Sequence, residues 1–195
     1  MRGGPLVEPE PRLATMNRWV ALLRGVNVNG ITLRSGELAQ LFSDLGFSNV
    51  RTVLASGNVC FDSEVSPGVP EQARLKLAIE TGLRERFGYE AWIVLIEQNG
   101  LTEIIQSYPF EEDAQHHAYV VFASSDESRD ELVEAASAQE NGAVEQVGVG
   151  KGVVYWRCPK GESTSTPFAK IVAKARFKAT TTNRNLNTLR KLENA

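Results

Sequence analysis

The chain has 195 residues, 42% of them hydrophobic and 23% charged, with a formal net charge of −3. This is the balance of an ordinary globular protein. No apolar run approaches the roughly 20 residues needed to span a bilayer as a helix, so no membrane partner is expected. The net charge hides an asymmetry: residues 151–195 sum to +8 and residues 1–150 to −11. Between Ser163 and Leu192 there is no acidic residue. Such a segment suits an anionic partner, or docks on acidic surface of the same chain or a second copy.

Residues 1–15 contain Pro5, Pro9 and Pro11 and no apolar core. They read as a disordered extension rather than a signal peptide, with Met16 a plausible natural start. Arg18 to Leu23 is an apolar run that predicts the first strand. It ends in Arg24-Gly25-Val26-Asn27-Val28-Asn29-Gly30, which abruptly supplies a cation, two amides and two glycines. Leu38, Leu41, Phe42 and Leu45 fall at helical spacing, with Ser35 as candidate N-cap and Gly46 as stop. Val50 to Ala55 and Val59 to Asp62 predict a hairpin about Ser56-Gly57-Asn58. Leu75, Ile79, Leu83 and Phe87 mark a long helix closed by Gly88. Ala91 to Ile96 is a continuous apolar strand.

This order, β-α-β-β-α-β, is the ferredoxin-like unit, and it is complete by Glu97. Leu101 to Ser107 predicts a connecting helix, and then the pattern restarts. Ala118 to Ala123 is a strand and Asp126 to Ala138 a helix capped by Ser124 or Ser125. Ala143 to Gly148 and Val153 to Arg157 are two further strands. Thr166-Pro167 has the N-cap and first-turn signature of a helix with apolar face Phe168, Ile171, Val172 and Ala175. Ala179 to Thr182 is the candidate closing strand, and Arg184 to Glu193 a terminal helix capped by Thr182 or Asn183. The expected fold class is α+β, with two tandem ferredoxin-like halves at 16–98 and 116–195, a connector at 99–115 and an extra C-terminal helix.

The stretches A-L-L-R-G-V-N-V-N-G (21–30), G-F-S-N-V-R-T-V-L-A-S-G-N-V-C-F (46–61) and T-N-R-N-L-N-T-L-R-K-L (182–192) together resemble the domain-of-unknown-function 1697 family. The similarity runs in order over Met16 to Leu192. It implies a two-part α+β fold with duplicated ferredoxin-like halves, and no established activity.

Three polar segments are candidates for chemistry. Arg24 offers a fork of donors suited to phosphate or carboxylate, and Asn27 and Asn29 can both donate and accept. Ser56 and Asn58 belong to the hairpin; topology places the start of the third strand beside the end of the first, next to Arg24. Arg184 and Asn185 open the terminal helix, whose free amides attract anions. The expectation is that Arg24, Asn27, Asn29, Ser56, Asn58, Arg184 and Asn185 converge on one anion-binding cleft between the halves. The competing expectation is that they shape polar turns, a tight hairpin and an ordinary capped helix.

The function expected first is binding of an anionic small molecule, a nucleotide or another phosphate ester. Nucleic-acid binding through the basic C-terminal segment is an alternative. The aromatic platform of RNA-binding ferredoxin-like sheets is missing, since the two central strands offer only Trp19 and Phe61. An enzyme of unnamed reaction is the third alternative, because arginine and asparagine can stabilise a developing anion. No cofactor, metal spacing, nucleophile elbow or phosphate loop is legible. His116 and His117, adjacent on a strand, face opposite ways and read as surface or edge residues. Glu111-Glu112-Asp113 reads as a solvated turn. Cys60 and Cys158 read as free buried thiols, which suits a reduced, cytoplasmic setting.

Overall fold

A computed structural model describes residues 15–24, 33–54, 57–88, 92–138 and 144–195. The expected extension at 1–15 therefore falls almost wholly outside the described residues. The chain is a mixed α/β structure with two four-stranded antiparallel sheets and seven described helices. The first sheet contains β1 (Asn17–Arg24), β2 (Ser48–Thr52), β3 (Asn58–Ser63) and β4 (Trp92–Glu97), ordered β2-β3-β1-β4. The second contains β5 (His116–Ala123), β6 (Gln146–Val149), β7 (Val153–Pro159) and β8 (Thr181–Asn185), ordered β6-β7-β5-β8. Replacing each strand of the first by its counterpart in the second reproduces the order.

Strand alternation explains the layering. Trp19, Ala21, Leu23, Val59, Phe61, Ile93 and Leu95 point to one face of the first sheet. There they meet α1 (Ser35–Asp44) through Leu38, Leu41 and Phe42, and α2 (Val69–Phe87) through Leu75, Ile79 and Leu83. Val121, Val154, Trp156 and Cys158 play the same part in the second sheet. They pack on α4 (Asp126–Ser137), on α5 (Pro167–Val172) and on Phe177 of α6 (Ala175–Lys178).

The other faces of the two sheets bury each other. Val20, Leu22, Cys60 and Val94 from the first share one cluster with Val120, Phe122, Val153 and Tyr155 from the second. Leu101 of α3 (Gly100–Gln106) and Leu186, Leu189 and Leu192 of α7 (Leu186–Glu193) complete that layer. Hydrogen bonds hold the chain's end on the first sheet: Gln98 Nε2 donates to Leu192 O at 2.7 Å, and Arg18 to Ala195 O at 3.2 Å. Both cysteines are free and buried, one in the inter-sheet layer and one under the second sheet's helices.

Several local expectations need correction. Ser35 is the first residue of α1, not its cap; Arg34 holds that place and makes no side-chain capping bond. β2 lies at Ser48–Thr52 rather than 50–55, because Asn49 takes φ +49° and a register shift separates Ser48 from Arg51. Leu54, with φ +59°, has already left the strand conformation. Thr166 caps α5 as expected, its Oγ1 accepting from Ala169 N at 3.2 Å. That helix stops at Val172, however, so Ala175 belongs to the next short helix and is exposed. The largest shift is at the end: β8 runs through Arg184 and Asn185, and α7 begins only at Leu186. The α7 cap is Asn185, whose Oδ1 accepts from Asn187 N at 2.9 Å, and not Thr182 or Asn183.

Candidate functional site

The correction at β8 changes what Arg184 is. It is a strand residue paired with Val120, so its side chain shares the inter-sheet face with Val120. Its hydrogen bonds cross to the first sheet. Nε donates to Asn58 Oδ1, and one terminal nitrogen donates to Leu23 O at 2.6 Å and Gly57 O at 3.3 Å. The other donates to Thr182 Oγ1 and Asn183 O, both at 2.8 Å. The residue is only 8% exposed. Burial and the Arg24 charge push its pKa down to about 10, which still leaves it a cation at neutral pH.

Asn58 is fully buried and pairs with Leu22 across β3 and β1. Its Nδ2 donates to Val53 O at 2.8 Å, which turns Oδ1 toward Arg184. An arginine can only donate, so this amide orientation is fixed from both ends. Asn58 is the first residue of β3, not the tip of the turn.

Arg24 makes the reciprocal crossing. It stands at the end of β1, on the same face as Val20 and Leu22, and reaches the second half. One nitrogen donates to Thr181 O at 2.7 Å and Thr181 Oγ1 at 2.9 Å, the other to Val172 O at 3.2 Å. Burial lowers its pKa. No carboxylate pairs with Arg24 among the described residues. Each half thus contributes one arginine that binds backbone of the other. Every acceptor named for the two is neutral.

The structure therefore brings Arg24, Asn58 and Arg184 together at one junction. Asn27, Asn29 and Ser56, with Gly25 and Gly30, lie outside the described residues. Asn185 faces elsewhere: it lines a cavity of about 270 Å³ with Tyr108, Asp113, His116, Arg157 and Lys160. This second cluster has no counterpart among the sequence expectations. Asp113 receives the Gln115 and His116 backbone amides at 2.7 and 2.9 Å, and Arg157 pairs with its Oδ2. His116 Nδ1 lies 2.9 Å from Asp113 Oδ1 and 2.9 Å from an Arg157 terminal nitrogen. The His116 contact, then the backbone and Arg157 bonds, hold the Asp113 carboxyl well below the usual range against the opposing effect of burial. Glu112 pairs with Arg190. The acidic turn is exposed, as expected, and two of its three carboxylates are also ion-paired. Burial pushes the Tyr108 hydroxyl up to about 12.

A carboxylate-held imidazole is the arrangement of a general base. Here the carboxylate also serves Arg157 and two amides, and among the described residues no serine, threonine or cysteine lines the cavity. The arrangement orients a ring and anchors the start of β5. The signal that could have found it is the spacing Asp113 to His116 together with Arg157, which pairs with Ala118 across β5 and β7.

Among the described residues no group of three or more His, Cys, Asp or Glu side chains is placed to hold a metal ion. No described helix is long and apolar enough to cross a membrane.

Comparison with known proteins adds a family and a fold. No curated protein matches the chain. A conserved bacterial protein, SP0830 from Streptococcus pneumoniae, has a similar structure, with TM-score 0.74 and 24% identity. The match covers 92% of this chain and 98% of that one, and at this identity it speaks to the fold alone. An unknown protein from Galdieria sulphuraria also matches, covering 88% of this chain and 98% of its own, at 9% identity. Its TM-score of 0.26 carries no argument. The model of a family described as a protein of unknown function, DUF1697, matches residues 16–155. The span takes in β1 with Arg24, β3 with Asn58 and most of the second sheet, and the chain belongs to this family.

Proposed function

We propose that the protein binds an anionic small molecule, of the nucleotide or phosphate-ester class, at the junction of its two halves. The chain is read as a duplicated ferredoxin-like unit, with halves at 16–98 and 116–195, whose inner sheet faces are closed against each other. On this reading Arg24 is the main contact. Arg184 and Asn58 position it and add charge, and Asn27, Asn29 and Ser56 are the amides and hydroxyl that approach the ligand. Asn185 is left out, because its side-chain oxygen caps α7 beside a different cavity.

The observation that carries the reading is the set of partners of Arg24. A half-buried guanidinium normally meets a carboxylate. This one meets two carbonyls and a hydroxyl, close enough to Arg184 for its charge to depress that residue's pKa. The flanking segments 25–32 and 163–192 contain no acid. A half-buried Arg24 held by neutral acceptors leaves a positive potential that an anion would relieve.

The test is thermal unfolding of the full chain with ATP, pyrophosphate and inorganic phosphate, each at millimolar concentration. Wild-type protein should gain stability from at least one of them. Occupancy at about 100 times Kd corresponds to about 2.7 kcal/mol. Arg24→Ala should abolish the gain and Arg24→Lys reduce it. A wild-type transition that no anion moves would defeat the proposal.

A second reading, nucleic-acid binding, draws on Lys170, Lys174 and Arg176, which are exposed along α5 and α6. The sheet faces are not open for it: Trp19 and Phe61 both point into the helix-covered core. Binding would have to run through backbone phosphates, and affinity for a DNA or RNA oligomer should then fall steeply with added salt. Affinity unchanged by salt would exclude this mode.

A further inference from the structure

β4 is an edge strand, paired only with β1 among the described residues. Along its free side lies a cavity of about 540 Å³, closed by α2 on one side and by the second half on the other. Val69, Gln72, Ala73 and Lys76 present one face of α2 to it, at spacings of three, one and three. Val94, Ile96, Ile104 and Phe122 supply apolar wall. Val69 stays 82% exposed, so an apolar side chain stands at the mouth without a covering neighbour.

The polar part of the lining is one-sided. Lys76 and Lys151 both line the cavity, and among the described residues no carboxylate does. Glu80, just outside the lining, forms a long ion pair with Lys76 through Oε1 at 3.8 Å, and the same oxygen accepts from the Ile93 backbone amide at 3.1 Å. Gln72 Nε2 donates to Leu95 O at 2.6 Å. These two side chains occupy the outward amide of Ile93 and the outward carbonyl of Leu95. They blunt the edge against an added strand, as edge strands in native proteins are commonly blunted. What is left is an apolar trough with two cations and partly occupied backbone. That combination fits a small amphipathic anion and disfavours an extended peptide. The volume is within the range of small-molecule sites.

We propose that this groove is a second binding site, for a soluble single-chain carboxylate whose hydrocarbon lies against Val94, Ile96, Ile104 and Phe122. Its carboxylate pairs with Lys76 and Lys151. The groove shares no lining residue with the Arg24 junction, so the proposal does not depend on the function inferred above.

Isothermal titration of the full chain with sodium octanoate tests it, with octan-1-ol and inorganic phosphate as the parallel titrants. Octanoate should bind saturably at one site, octanol about tenfold or more weakly, and phosphate not in this groove. Lys76→Glu with Lys151→Glu should lower octanoate affinity by about tenfold and leave octanol unchanged, since about 1.4 kcal/mol of charge interaction is a factor of ten. Ala73→Trp, at an exposed position facing the cavity, should abolish both. Arg24→Ala should leave octanoate binding intact while removing any nucleotide effect. Absence of saturable octanoate binding overturns the proposal. So does an octanoate affinity that survives the double charge reversal. The lysine variants are at solvent-reached positions, so they report even if the tryptophan variant fails to fold.

Discussion

The molecule has two arginine-rich regions that solve the same problem in opposite ways. At the edge of the inter-sheet layer, half-buried Arg24 and buried Arg184 are held by carbonyls, two hydroxyls and an amide. Around the 270 Å³ cavity, Arg157 and Arg190 pair with Asp113 and Glu112 at a more exposed surface. In the second region charge cancels locally, and the carboxyl groups are held ionised by their partners. In the first, Arg24 has its hydrogen bonds satisfied by neutral acceptors alone. Hydrogen-bond satisfaction and charge neutralisation are separate requirements. On the function proposed above, a site that meets the first without the second would accept an anion. In the opposite region the named charges cancel within local pairs.

The largest effect should come from breaking the first region. Arg184→Met leaves Asn58 Oδ1, Leu23 O, Thr182 Oγ1 and Asn183 O short of a donor at a buried interface. Each orphaned acceptor costs about 1–3 kcal/mol, offset by the removal of a desolvated charge, so a net loss of about 3–5 kcal/mol is expected in urea unfolding. A loss under about 1 kcal/mol would mean that the crossing is dispensable. Arg24→Met strips fewer and less buried bonds and should cost about 1–2 kcal/mol. The double variant sharpens the point. Because Arg24 charge disfavours protonated Arg184, each single variant relieves that repulsion and the double relieves it only once, so the combined loss should exceed the sum by about 0.5–1 kcal/mol. Strict additivity would show that the two guanidiniums do not feel each other.

Much of this frame is legible in the sequence because alternation and helical spacing are strong signals. The apolar run at Arg18 to Leu23, the spacing of Leu75, Ile79 and Leu83, and the Thr166-Pro167 start all correspond to real elements at nearly the expected bounds. The topological step that puts Asn58 beside the end of β1 needs only strand order, and Leu22 does pair with Asn58. What failed is local and polar. N-R-N at 183–185 carries no apolar alternation, so the sequence alone places it at a capped helix start after a strand ending at Thr182; pairing with Tyr119 to Val121 extends the strand through it. Tertiary context overrode propensity there. The Asp113 cluster was invisible for a different reason. Its members sit on three elements, and only the β5–β7 register brings Arg157 to His116 and Asp113.

The paired region predicts an acid-side dependence of modest size. Asp113 is lowered first by the His116 contact, and Glu112 first by Arg190. Asp44, at the remote α1–α2 surface, is lowered first by Gln40 and then by Arg86. For a carboxyl whose folded pKa lies below its unfolded value, the unfolded chain takes up the proton first. Its contribution is therefore complete above the ordinary values of 3.8 for Asp113 and 4.5 for Glu112, and fades as pH falls through the depressed ones. Stability measured from pH 6 downward should hold until roughly pH 5 and then decline. Asp113→Asn should flatten part of that decline while leaving the plateau at pH 6–7 lower than wild type.

Glu112→Gln should have the smallest effect of all. The Glu112–Arg190 pair is 41% exposed on each side chain, and Arg190 also donates to Asn187 Oδ1 at 2.8 Å, so the guanidinium keeps a partner when the carboxylate is gone. A loss of about 0.2–1 kcal/mol is expected, shrinking in high salt as the surrounding ions screen the pair. Salt should do the reverse at the junction of the halves. There Arg24 faces neutral acceptors and the Arg184 charge, so added salt screens repulsion rather than attraction. Comparing Glu112→Gln and Arg24→Met at low and high salt therefore separates the two regions by sign. The penalty of the first should shrink with salt and that of the second should hold or grow. A common salt response in both variants would mean that the junction is neutralised by acidic groups after all, and that the contrast between the two regions is one of exposure alone.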